Sequence, residues 1–412
     1  MSLPATPTVK IRLGTGPSFG DPFILGDPDN GVLGTNVLAP NAIQEINITN
    51  EVRRISTRHG RDRGFEEYLP GEATIEFYDF TGDWNPANTS SPYYPQVKPM
   101  RQVRVTANYQ GQDYSIFAGY ITSWDYNWPD QSVNFAVVTV QAVDAFRLLQ
   151  LANINTVTGA ANKDLPGERI NLILDQIGWP SGQRLIDDGD TELKNDPGGF
   201  RSALDAIQTI EQSDLGAFFI DHDGKAVYLS RGTLSQRASG TAYEFDDNGV
   251  NIQYQDIDIN YDETELANSV TLTRLSGQPQ TASDAGSIAE YFLRSYNRSG
   301  LMMETNSLAL QRATQILNYR KEPRLRIDRF TLDLSSDSTR LLPGLALEVG
   351  DPVIITKNMA NGSDLTLRLT VQGHTTDITP DRWINTYTTA YPLSTAFILG
   401  STEFGILGTN TL

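Results

Sequence analysis

Four carboxylates crowd one short stretch, Asp187, Asp188, Asp190 and Glu192. Oxygen-rich runs of this kind can hold a divalent cation. Gly189 is not placed as in an EF-hand loop, and no bidentate Glu follows at the proper distance, so the stretch reads as a solvated acidic turn. Asp27, Asp29 and Asn30 also imitate a calcium loop. A second copy of the same motif has Ser401, Glu403 and Phe404 there, which points to turn-forming side chains and not to a metal. Imidazole chemistry is limited to His59, His222 and His374, far apart in sequence. His222 stands between Asp221 and Asp223 in a tight turn, and nothing marks a nucleophile or a cleft beside it. A carboxylate pair of the hydrolase kind leaves no trace in sequence when its members are distant. The chain has no cysteine, which removes disulfides, thiolate zinc sites and a thiol nucleophile. No catalytic residue, metal or cofactor is expected on these grounds.

One stretch is basic in an otherwise acidic chain: Arg53, Arg54, Arg58, His59, Arg61 and Arg63. It reads either as a contact with an acidic neighbour or nucleic acid, or as a solvated hairpin tip. No aromatic residues are interleaved with it for base stacking.

The motif with two copies lies near the ends of the chain. Phe23-Ile24-Leu25-Gly26 runs on to Gly31-Val32-Leu33-Gly34-Thr35-Asn36, and Phe397-Ile398-Leu399-Gly400 to Gly405-Ile406-Leu407-Gly408-Thr409-Asn410, in one register. Two copies do not make a solenoid. The glycine spacing suggests folded-back arms, and the apolar residues between the glycines need cover. That cover is either the parent domain or equivalent grooves in an assembly. There is no Gly-Lys-Ser/Thr after the glycines, so they are not a phosphate loop.

The elements that would carry these residues are mostly strands. Period-two alternation runs through Ile46 and Ile48, Ala73 to Phe77, Val103 to Ala107, Ile116 to Tyr120, and Phe135 and Val137. From about 150 the pattern turns helical. Ile170, Ile173, Leu174 and Ile177 share a face after Pro166, and Ala203, Leu204, Ile207 and Ile210 follow a Ser202–Asp205 cap. A hairpin comes next, Ala217–Ile220 and Ala226–Leu229 around Asp223-Gly224. Strands return near Ile257, Val270 and Leu272, and a helix with Ala309, Ala313, Ile316 and Leu317 on one side stops at Pro323. In Leu325–Leu334 the apolar parity switches, which predicts a bulge near Asp328–Arg329. Pro352 to Thr356, Leu365 to Val371 and Trp383 to Thr389 complete a second strand-rich region.

The 412 residues allow two to four domains, and the formal net charge of -18 disfavours broad affinity for nucleic acid or anionic lipid. No apolar run approaches the roughly 20 residues of a membrane span, and the first residues do not form a signal peptide. Synthesis in a cytoplasm and no stable membrane insertion are expected.

Several stretches in order carry a family resemblance: the arm Phe23–Leu38; Ile116-Phe117-Ala118-Gly119-Tyr120-Ile121 with Trp124; Ser202–Gln208 leading to Phe218-Phe219-Ile220-Asp221; Asn268–Arg274; and Leu347-Glu348-Val349-Gly350-Asp351-Pro352-Val353. With them the chain resembles the baseplate hub, or minor tail protein, family of long-tailed bacteriophages, related to the central hub of contractile tails. The resemblance implies a mainly β protein with an α+β insertion: two tail-tube-like β-barrels, a small α+β domain and repeated Gly-rich arms. The divisions are 1–42 (first arm), 43–148 (first barrel), 149–245 (α+β domain), 246–390 (second barrel with a helical insertion) and 391–412 (second arm). It further implies a structural, non-enzymatic homotrimer forming a pseudo-sixfold ring at the tail tip of the virion. Its partners would be the distal tail protein, the tail tube or tape measure protein, and fibre or tip proteins, with DNA passing through without specific binding. The assembly interface is expected at Phe23, Ile24, Leu25, Val32, Leu33, Phe397, Ile398, Leu399, Ile406 and Leu407 in the arms, and at Arg53, Arg54, Arg58, Arg61 and Arg63. Because the second arm ends at Leu412, no appended peptidase or receptor-binding module is expected.

Two rival readings stand beside it. One is a distal tail ring component or host-glycan binder using Trp84, Tyr93, Tyr94 and Trp128. The other is a peptidoglycan-degrading tail enzyme.

Overall fold

In the computed structural model, the described residues are 3–13, 44–64, 67–129, 135–335, 338–360 and 362–393. Both arm motifs lie outside them.

Seven strands build a first half: β1 (Thr6–Leu13), β2 (Gln44–Asn47), β3 (Val52–Gly60), β4 (Leu69–Asp79), β5 (Gln102–Tyr109), β6 (Gln112–Asn127) and β7 (Ala136–Val143). Their order in the sheet is β3-β4-β7-β6-β5-β1-β2. Alternation works as period two demands: Ala73, Ile75 and Phe77 on β4 and Val103, Val105 and Ala107 on β5 are all buried. β7 departs from the expected parity. Val138, Val140 and Ala142 enter the core, whereas Phe135 packs with Tyr78 and Phe80 in a separate aromatic group. The unbroken apolar run of β7 hides which of its faces points inward. β1 falls within the range assigned to the first arm, yet it pairs with β5 over seven residues.

An α+β unit follows: α1 (Phe146–Leu151), β8 (Asn153–Ile154), α2 (Pro166–Gln176), β9 (Arg184–Ile186), β10 (Arg201–Ser202), α3 (Ala203–Asp214), β11 (Ala217–Ile220), β12 (Ala226–Leu229) and α4 (Arg231–Ala238). Local chemistry sets its boundaries. Ser202 Oγ accepts the Asp205 N–H, as a helix N-cap should. Gly178 takes φ +79° after α2. Ile170, Ile173, Leu174, Ile207 and Phe218 meet in one core; each such side chain contributes about 1.5–3 kcal/mol when fully buried.

The second half has seven strands again: β13 (Tyr243–Asp246), β14 (Ile252–Gln253), β15 (Asp256–Asn260), β19 (Arg326–Asp333), β20 (Pro352–Asn358), β21 (Asp364–Thr379) and β22 (Arg382–Ala390), with α7 (Ser338–Ala346) between β19 and β20. A satellite unit interrupts it: β16 (Ser269–Arg274), β17 (Gln280–Ser283), α5 (Ala285–Tyr291), β18 (Ser295–Leu301) and α6 (Asn306–Arg320). Val270 and Leu272, read from sequence as part of the second barrel, belong instead to this three-stranded sheet and to its own core with Ala309, Ala313 and Ile316. The bulge expected near Asp328–Arg329 is present. Asp258 faces Arg329 while Ile259 faces Ile327, so Asp328 is the extra residue.

The halves share one pairing map. In the first, β1 pairs with β2 and β5, β4 with β3 and β7, and β6 with β5 and β7. In the second, β13 pairs with β14 and β20, β19 with β15 and β22, and β21 with β20 and β22. The long strands β6 and β21 shift register at matching places against β7 and β22, after Ile121 and after Val371. Ile121 N–H donates to the Arg101 carbonyl, and Val371 N–H to the Asp351 carbonyl, at matching points. The maps differ in one respect: β1 pairs antiparallel to both neighbours, β13 parallel.

The expected closed barrels are not formed. Neither half closes on itself; the halves join into one 14-stranded sheet through β3 and β21, over one shared core. An open edge is satisfied as well by a sister module as by self-closure.

Candidate functional site: the seam between the halves

β3 and β21 run antiparallel from Ile55 opposite Ile378 to Gly60 opposite Gly373. The two glycines let the backbones close up. Gly60 has φ +87°, and a Cβ on it would lie 2.4 Å from the Gln372 carbonyl oxygen.

The basic stretch read as a hairpin tip is this seam strand and the turn after it. Sequence placed it in a loop because its polar residues conceal the inward set Ile55, Thr57 and His59. Four of its five arginines have partners within the chain. Arg54 Nε donates to Asp377 at 3.0 Å across the seam. Arg53 lies 3.9 Å from Glu76, and Arg58 pairs with Asp62 at 2.9 Å. Arg61 donates to Gln372 Oε1 at 2.9 Å and stacks 4.4 Å above the Tyr68 ring. Arg63 is exposed. Phe23, Ile24, Leu25, Val32, Leu33, Phe397, Ile398, Leu399, Ile406 and Leu407 lie outside the described residues.

What the structure brings together at the seam are the three histidines. His59 on β3 and His374 on β21 stand opposite each other, with ring centroids 5.6 Å apart. The turn after β11 adds His222, whose Nε2 lies 3.2 Å from His374 Nε2. Glu348, just before β20, hydrogen-bonds His222 Nδ1 with one oxygen and sets the other 3.9 Å from His59 Nε2. The turn that presents His222 is held by Asp221 Oδ1, which accepts the Lys225 N–H at 2.8 Å. The hairpin has the expected strands, with Ile220 paired to Ala226. His59 Nε2 and His374 Nδ1 are buried and accept or donate no hydrogen bond.

Burial sets the electrostatics here, and one charge pair overrides it. Burial lowers His59 to about 4, helped by His222. Burial, then His222 and His59, hold His374 well below the usual imidazole range. Burial works against charge on His222 too, but the Glu348 carboxylate and its hydrogen bond win and raise it. Burial would raise Glu348; the three imidazoles, His222 first, hold it below the usual carboxylate range. Burial thus disfavours charge on His59 and His374, while His222 and Glu348 favour charge on each other. Sequence reasoning missed Glu348. Its one signal is a lone acid between the buried apolar residues Leu347 and Val349.

The other candidates disperse. Asp187 accepts the Ser230 N–H, Asp190 pairs with Arg231 and Arg312, and Glu192 with Lys163. The acidic run therefore ties the α+β unit together, and to α6 of the satellite unit, instead of converging on a cation. Trp84 is buried and stacks on Trp124 and Tyr93, as a loop anchor does, while Tyr94 and Trp128 are exposed. A cavity between α3, the satellite unit and the second half is lined by Arg61, Glu211, Tyr296, Arg298, Tyr319 and Tyr391. No helix among the described residues is long and apolar enough to cross a membrane.

No protein-family model matches the chain. No curated protein matches it in sequence. Solved structures do. The 43 kDa tail protein of prophage MuSo2 from Shewanella oneidensis is 12% identical with a TM-score of 0.52, over 85% of this chain and 96% of that one. The tail protein from Neisseria meningitidis MC58 is 12% identical with a TM-score of 0.55, over 84% of this chain and 94% of that one. A type VI secretion component of Escherichia coli, described as structurally similar to the T4 tail proteins gp27 and gp5, matches at 13% identity and a TM-score of 0.47, over 86% and 75%. At such identities what is shared is the fold. The fold of this chain is that of bacteriophage tail proteins, in keeping with the resemblance to the tail-tip hub family read from its sequence.

Proposed function

We propose that the protein is a structural component of a phage tail tip, a hub in which three chains give six related β modules in one ring that lines the path of the DNA. The observation that carries this reading is the seam. It joins the third strand of the first module, β3, to the sixth of the second, β21. The matching pair of edges is free of strand partners among the described residues: β15 pairs only with β19, and beyond Ile121 β6 pairs only with β7. A second chain repeating the seam would lay its β6 along β15. A head-to-tail contact of this kind closes into a ring when its rotation allows. Ser56 faces Asp377 across the seam, and the pairing maps place Asp258 opposite Asn127 at the equivalent point between chains. The two arm copies would then dock at corresponding places, one per module, with distal tail, tube or fibre proteins above and below. An acidic ring would repel the phosphates passing through it.

The chain is free of cysteine, so the contact can be tested cleanly. A chain carrying both Asp258→Cys and Asn127→Cys is expected to oxidise into a covalently closed trimer, since cross-strand neighbours fall within disulfide reach. Gel mobility without reductant and native mass spectrometry read the outcome. A chain that stays monomeric at high concentration, or links only as a dimer, overturns the ring.

A further inference from the structure

The histidine–glutamate cluster has more donors than its hydrogen bonds use. One donor atom each from His59, His222 and Glu348 lie within 4.8 Å of one another, and among the described residues they are the one such group of metal-ligating side chains. His59 Nε2 is buried, unpartnered and turned toward Glu348. His374 reaches the far nitrogen of His222. A small cavity lined by Thr57, His59, Ile220, Asp221 and His222 borders the cluster and gives room for a water.

We propose that His59 Nε2, His222 Nδ1 and Glu348 bind a divalent transition-metal ion of the zinc class at the seam, with His374 as a positioning residue on His222 Nε2. The donor set decides the metal. Two imidazoles and a carboxylate suit zinc and its Irving–Williams neighbours, whereas calcium and magnesium call for an all-oxygen shell. Tetrahedral zinc holds its donors ~3.3 Å from one another, so the hydrogen-bonded His222–Glu348 pair must open slightly while the 3.9 Å gap between His59 and Glu348 narrows. His222 can supply that movement because it sits on a turn while His59 is fixed in a strand. The proton of the His222–Glu348 hydrogen bond leaves to solvent as the cation enters, and a water from the neighbouring cavity completes the fourth position. The second nitrogen of a metal-bound histidine ordinarily finds a fixed partner, and His374 fills that part. The ligands come from the first half, the α+β unit and the second half. The ion would therefore pin three parts of the chain at one point, whether or not the ring forms.

The test uses full-length protein stripped with EDTA and titrated with zinc chloride. One zinc per chain by calorimetry and elemental analysis is expected, with a melting temperature that rises with zinc and falls again with EDTA. Cobalt(II) should give the intense visible bands of a four-coordinate site. His59→Gln and Glu348→Gln should each abolish stoichiometric uptake, and His374→Ala should weaken it about 10–100-fold. Asp190→Asn, in the acidic run, should leave it unchanged. Circular dichroism checks that each variant folds; should His59→Gln not fold, His222→Ala on the turn takes its place. Absence of stoichiometric zinc in the parent protein, or uptake that survives His222→Ala and Glu348→Gln, overturns the site.

Discussion

His222 and His374 are 152 residues apart in the chain and 3.2 Å apart in the fold. The contact locks the α+β unit onto the seam near its Gly60–Gly373 end. Glu348 carries the charge that makes this arrangement stable, since it accepts from His222 and faces His59. Glu348→Ala leaves a buried imidazole without its acceptor. The expected cost is about 1–3 kcal/mol in metal-free urea denaturation at neutral pH. A loss below a few tenths would show that the cluster does not hold the units together.

The seam is held by burial more than by its arginines. Ile55 is 1% exposed, whereas the Arg54 and Asp377 side chains are 51% and 40% exposed. Ile55→Ala should cost about 2–5 kcal/mol. Arg54→Ala should cost less than about 1 kcal/mol, and the difference from wild type should shrink with added salt. Urea denaturation at two salt concentrations separates the two.

Gly60→Ala should be among the more harmful single changes. It places a side chain at φ +87° and drives a Cβ to 2.5 Å from the Gly373 Cα on the facing strand. The backbone conformation alone costs about 1–3 kcal/mol, and separation of the strands adds to it. Thermal unfolding checks this. Arg63→Ala, three residues further on and exposed, serves as the neutral control.

Stability should fall between mildly acidic and mildly alkaline pH because of Glu211. Burial pushes its carboxyl up to about 8, while Arg61, the Phe218 N–H and Arg298 oppose the rise and Glu67 adds to it. The folded-state value is above the unfolded one. Its contribution is therefore fully present below about 4.5, and is lost as pH climbs through about 8. Glu211→Gln keeps an acceptor for Phe218 and removes the titration. The variant should overtake wild type above pH ~8, by about 1–3 kcal/mol, in denaturation curves taken across that range.

Local order was written in the sequence where neighbours in the chain decide it. The Ser202 cap, the buried faces of α2, α3 and α6, the paired strands β11 and β12, and the bulge at Asp328 all follow from spacing and capping chemistry within a few residues. Tertiary structure decided what depends on partners far away. Whether β3 was a hairpin tip or a seam strand turned on β21, more than 300 residues on. Whether the strand-rich regions closed as barrels or merged into one sheet turned on the same pairing. A strand edge carries only unpaired N–H and C=O groups, which accept any complementary edge, so no side-chain pattern names the partner. The three histidines show the same limit. Sequence counted them, but only the register of β3 on β21 and the turn after β11 set them around Glu348.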